Sequence, residues 1–253
     1  MFDFWKKREQ MKDLKEIRIF LRSHLNEFES KKEKIPEDIF ETTCFLLEEI
    51  IDIYESIAVL YRQKHFRSSV VLARSVIENS ISLRYIYQAD SEKRALNFKL
   101  FSMREYLKRA ERMEGVPPPE VKQMLEIMRK RVEEYQPSGS NPNQWDGKSV
   151  KEKTQALQSE SIYDIYKHLS NYTHSKFKGS RDLSIERPYN DYIRELVFKQ
   201  ILVHTLQALA DMCLKYDLDG GVMIMHDYPE LGSAFFFATN PKRREAEMKD
   251  IKF

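Results

Sequence analysis

Residues 66–89 read FRSSVVLARSVIENSISLRYIYQA, and this stretch decides the fold. Val70, Val71, Val76, Ile77, Ile81, Leu83 and Ile86 recur at helical spacing but do not share one side. A helix lying on a surface keeps a polar face, whereas one that is apolar nearly all round belongs in the middle of a bundle. The flanking segments have to cover it. From Pro36 to about His65, Phe40, Cys44, Leu47, Ile51, Tyr54, Ala58 and Tyr61 fall on one helical face. Pro36 suits a first helical turn, and Glu37 and Asp38 suit its positive dipole end.

The same reading extends outward. Leu14, Ile17, Leu21, Leu25 and Phe28 make residues 3–30 a charged amphipathic segment. Ser91 reads as the N-cap of a helix through Met113, closed by Gly115. Pro117, Pro118 and Pro119 start a charged helix to about Tyr135. Residues 136–143, QPSGSNPN, form the clearest loop. Beyond it come Trp145–Ser149, a short helix over 150–157, a helix over 161–175 and a long one over about 189–217. The expectation is an all-α multi-helix bundle with a short irregular or hairpin C-terminal tail. Its parts are an N-terminal amphipathic helix (1–35), a bundle domain (36–217) with a loop at 136–149 between front and back halves, and a tail (218–253).

Composition agrees. Seven glycines and nine prolines in 253 residues leave few breakers, and charged residues reach 32%. The formal net charge of +2 gives no global field that would announce a nucleic acid. The N-terminus lacks the apolar run of a signal peptide, and no stretch approaches about 18 apolar residues. A cytoplasmic protein without a membrane span is expected. Cys44 and Cys213 sit in apolar helical contexts and read as buried free thiols. No zinc spacing, dinucleotide or Walker loop, or serine elbow occurs, so no metal and no cofactor is expected.

Two constellations could carry chemistry. On the helix over 161–175, Ile162, Ile165, Tyr166, Leu169, Tyr172 and Thr173 share one broad arc at about 100° per residue. Lys167, Asn171 and His174 stack on the opposite arc. His174 lies near the helix end, where the dipole favours imidazolium. Lys178 and Arg181 add positive charge just beyond. A cation beside a titratable imidazole can bind a phosphodiester and move its proton; the same residues also suit a solvated helix face. The second constellation is Arg74 and Glu78, one turn apart on the all-apolar helix. They form either an internal ion pair or a site in which Glu78 is the orienting or basic carboxylate.

The run Ala73-Arg74-Ser75-Val76-Ile77-Glu78, the turn Trp145-x-Gly147-Lys148-Ser149, and Tyr163-x-x-Tyr166-x-x-Leu169-Ser170-x-Tyr172-x-His174 together resemble a bacterial helical family of unknown function over about residues 40–215. A more distant likeness is to HEPN domains, helical modules common in toxin–antitoxin and phage-defence systems. Ribonuclease members of that group carry an arginine followed by a histidine near a helix end, usually at a dimer interface. Lys167 and His174, with six residues between them, match those positions, with lysine in place of arginine. Lysine keeps the charge but lacks the planar fork that grips a phosphate. The likeness implies an RNA-binding effector or metal-independent endoribonuclease, acting as a homodimer. Catalytic roles then fall to His174, Lys167 and Glu78, and substrate binding to Arg74, Asn171, Lys178 and Arg181. The competing expectation is a non-catalytic helical interaction or sensor protein. Its N-terminal helix or tail would dock a partner protein, and its polar residues would be structural.

Overall fold

The computed structural model describes residues 18–19, 21–112, 117–133, 144–173, 201, 204–213 and 215–216, and for 66, 160, 161, 172 and 173 it describes the backbone alone. All the regular structure in these residues is helical. We label the helices α1 (21–30), α2 (Glu37–Arg62), α3 (Phe66–Gln88), α4 (Ser91–Ala110), α5 (Pro119–Glu133), α6 (Val150–Ala156), α7 (Glu160–Thr173) and α8 (204–213).

Helix α3 lies in the middle, as its all-round apolar sequence requires. It packs most extensively on α2 and also touches α4, α6 and α7. Its Val70, Ala73, Val76, Ile77, Ile81, Leu83 and Ile86 are buried on several sides at once. Helix α8 closes the remaining side through polar ties. Thr205 lies 3.2 Å from the Tyr54 hydroxyl and 3.4 Å from that of Ser80. Arg84 donates to Asp211 at 3.1 Å and to Gln207 at 3.0 Å. A guanidinium with so little exposure has to be paired, because an uncompensated buried charge is costly.

Helix α1 shares the same core. Leu21, Leu25 and Phe28 are fully buried, and Phe28 stacks on Phe40 of α2 with ring centroids 5.6 Å apart. The inner face of α2 is Ile39, Leu46, Leu47, Ile50, Ile51, Tyr54, Ile57 and Tyr61, whereas Phe40, Cys44 and Ala58 are only partly buried. The expected cap of α4 differs by one residue. Asp90 occupies the N-cap position in a left-handed conformation (φ 46°), and Ser91 is the first helical residue. The Ser91 hydroxyl instead accepts from Lys215. The helix stops at Ala110, short of the expected Met113.

Residues 136–143, the segment after Thr173 up to 200, and the tail from 217 onward lie outside the described residues. The expectations for the loop and the hairpin tail fall there. Among the described residues, no helix is long and apolar enough to cross a membrane.

Candidate functional site

The site begins with a turn. Gly147 donates its N–H to the Gln144 carbonyl at 3.1 Å and has φ 73°, a conformation that costs a residue with a Cβ. Asp146 Oδ1 accepts from the Lys148 N–H at 3.2 Å, tightening the turn. Ser149 then caps α6 with a capping box: its hydroxyl accepts from the Glu152 N–H while the Glu152 carboxylate accepts from the Ser149 N–H at 2.7 Å. This local chemistry explains why the Trp-x-Gly-x-Ser spacing is compact. It turns the chain sharply and starts a helix at once.

The turn buries Trp145 between Tyr85 of α3 and Phe98 of α4, with centroids 5.8 and 5.6 Å away. One turn into α6, the Lys153 ammonium lies 4.3 Å from the centre of the Trp145 ring and 3.1 Å from Asp146 Oδ1. The Lys153 side chain is 3% exposed. Burial pulls its pKa below the usual lysine range, while Asp146 and Glu78 pull it back up. Glu78 therefore feels Lys153, and α6 joins the second constellation. Asp146 Oδ2 is buried and accepts no hydrogen bond from any described residue.

Arg74 completes the cluster. Its Nη2 donates to the Tyr166 hydroxyl of α7 at 2.7 Å, and its guanidinium carbon lies 4.9 Å from the centre of that ring. The same Nη2 is 3.7 Å from Glu78 Oε2, a loose pair on successive turns of α3. Arg74 is 23% exposed and Glu78 41%, so the pair opens to solvent on one side. Tyr163 stacks on Tyr166 with centroids 6.4 Å apart. The Tyr166 carbonyl accepts from Ser170 at 2.7 Å, one turn later.

Two of the three separated motifs thus meet directly, Arg74 and Glu78 of α3 with Tyr166 of α7. The Trp145 turn packs farther along α3 at Tyr85 and is linked to Glu78 electrostatically through Lys153. Of the residues expected at a site, Arg74 and Glu78 meet as an ion pair. Lys167 is on α7 and exposed, and Asn171 is partly buried. Among the described residues neither is hydrogen-bonded to Arg74, Glu78 or Tyr166. His174, Lys178 and Arg181 lie outside the described residues.

Sequence reasoning missed three members. Tyr166 reads as apolar by its arc, and only the partner across the helix interface makes its hydroxyl matter. Asp146 is hidden as a variable position inside its motif. Lys153 carried a signal: it sits on the buried line of α6 with Val150 and Thr154, where an isolated lysine needs a counter-charge. Cys44 and Cys213 are free thiols with pKa pushed up to about 12 chiefly by burial, although only Cys213 is fully buried as expected and Cys44 is partly exposed. Among the described residues no group of three or more His, Cys, Asp or Glu side chains is placed to hold a metal ion.

No curated protein and no solved structure matches the chain. A family model does match, over residues 40–191, which is more than half of the chain and spans all three motifs. The chain belongs to the family described as "Family of unknown function (DUF5677)".

Proposed function

We propose that the protein is an RNA-directed helical effector of the HEPN-like kind, cleaving phosphodiesters without a metal ion, in a phage-defence or toxin–antitoxin setting. The observation that carries this reading is the state of Arg74. It is a half-buried guanidinium oriented by the Tyr166 hydroxyl at 2.7 Å and only loosely paired with Glu78 at 3.7 Å. A phosphate can take the place of that long pair, and a planar fork suits it. Arg74 therefore offers from α3 the fork that Lys167 lacks on α7.

In the mechanism, the ribose 2′-hydroxyl attacks the adjacent phosphorus. The 2′-oxygen–phosphorus bond forms, the bond to the 5′-oxygen breaks, and the leaving oxygen takes a proton. His174 moves the protons, Lys167 and Arg74 stabilise the developing charge, and Glu78 orients Arg74. Asn171, Lys178 and Arg181 contribute to backbone binding. A homodimer brings two copies of this helix together.

One observation favours the alternative, a non-catalytic helical interaction protein: Arg74 Nη2 already has partners within the chain, the Tyr166 hydroxyl and, at longer range, Glu78. The test uses purified wild type, His174→Ala and Arg74→Ala with an unpaired RNA oligonucleotide in EDTA. Expected are 2′,3′-cyclic phosphate ends from the wild type, none from His174→Ala, and at least about tenfold weaker binding by Arg74→Ala. Absence of both binding and cleavage by the wild type, or equal cleavage by His174→Ala, removes the ribonuclease reading. Growth arrest and RNA integrity on expression in cells test its biological setting.

A further inference from the structure

On another part of the bundle, α2, α4 and α5 enclose a groove of about 620 Å³, within the size range of small-molecule sites. Its walls are Phe45, Phe98, Phe101, Met103, Tyr106 and Met128. Phe45 is 48% and Tyr106 47% exposed, unusual for large apolar side chains of a helical bundle. Methionines on two walls give an adaptable, polarisable lining. The polar groups within the walls are already committed. Thr42 donates to the Ala95 carbonyl at 3.2 Å, and Ser102 to that of Phe98 at 2.9 Å.

The groove has an electrical direction. At one end Lys99 is bonded to both Asp38 and Glu41, two carboxylates around one cation. At the other, Arg109 and Glu105 line the groove, and Arg104 and Lys108 stand beside Glu105 just outside the lining. Lys99 and Arg109 are ten residues apart on α4, about 15 Å at a rise of about 1.5 Å per residue. An apolar trough of that length, negative at one end and positive at the other, matches an amphiphile with an anionic head.

We propose that this groove binds a medium-chain fatty carboxylate, with its chain along Phe45, Phe98 and Met128 and its carboxylate at Arg109. The site is independent of the RNA reading. Phe98 also contacts Trp145, so occupancy is reported next door to Lys153 and Asp146.

The experiment uses the full chain carrying Trp5→Phe, which leaves Trp145 as the sole indole. Laurate, kept below micelle formation, is titrated against tryptophan fluorescence, with dodecyltrimethylammonium as the control of opposite charge. Expected are saturable binding of laurate, about tenfold weaker binding by Arg109→Glu, and, read by titration calorimetry because the substitution adds an indole, loss of binding on filling the groove with Met103→Trp. Circular dichroism establishes that each variant is folded, and Met128→Trp replaces Met103→Trp if that one is not. Equal binding of the cationic amphiphile, or unchanged laurate binding by a folded groove-filling variant, overturns the proposal. So does a concentration-dependent dimer that Phe45→Glu dissociates, because a second copy would then occupy the groove.

Discussion

Arg74 of α3 and Tyr166 of α7 are joined twice, by a 2.7 Å hydrogen bond from the guanidinium to the phenol and by the stacking of that guanidinium over the ring at 4.9 Å. Residues 92 positions apart thereby form one polar unit at the α3–α7 contact.

Tyr166→Phe keeps the ring and removes the hydroxyl. The stacking survives and the hydrogen bond does not, so stability falls by about 1 kcal/mol, with the helical circular dichroism unchanged. Urea unfolding of Tyr166→Phe, Arg74→Met and the double variant measures the coupling. If the double variant loses the sum of the two single losses, the pair does not interact.

The Lys153–Asp146 pair is buried on both sides, with side-chain exposures of 3% and 8%. Lys153→Ala leaves Asp146 uncompensated and costs about 3–5 kcal/mol. The double change Lys153→Met with Asp146→Leu removes both charges and regains part of that loss. Denaturant midpoints of the three proteins check this order.

His204 is held neutral in the fold. Burial lowers its pKa from 6.5 to about 4, with Gln207 partly opposing and Arg84 assisting. Its Nδ1 lies 3.1 Å from Gln207 Oε1, which also accepts from Arg84, so Nδ1 carries the proton. Between pH 6.5 and about 4 the unfolded chain binds a proton at this position that the folded chain refuses. Stability is therefore full above pH 6.5 and falls with decreasing pH, by about 3 kcal/mol at about 1.36 kcal/mol per unit. Below about pH 4 this contribution is constant. The pH dependence of unfolding in His204→Leu has a shallower slope in that window than that of the wild type; parallel slopes would refute the assignment.

Cys213 is 2% exposed, and burial pushes its thiol up to about 12. Cys44 is less buried but has its thiol raised to about 12 as well, by desolvation and then by Glu29 and Glu48. Since the thiolate is the nucleophile, both react with a disulfide reagent at pH 8 far more slowly than in the urea-unfolded chain. Rapid modification of Cys213 in the native protein would contradict its place in the core.

The sequence by itself determined the helices. The all-apolar run 66–89 fixes its own position at the centre, because each face has to meet a neighbour and no strand-like period competes. Proline and serine punctuation set the starts of α2, α5 and α6 to within a residue or so. The same sequence also singled out Arg74 and Glu78, since two charges on an apolar helix need partners.

Only the tertiary structure decided which polar atoms meet. Periodicity describes one helix at a time, so Tyr166 fell on an apolar arc and its hydroxyl carried no signal until Arg74 was placed opposite it. Asp146 and Lys153 are likewise ordinary in the sequence and become a buried ion pair only when the turn at Gly147 folds α6 back over Trp145. Burial sets the strength of charge interactions, and burial is a property of the packed bundle rather than of any of its helices.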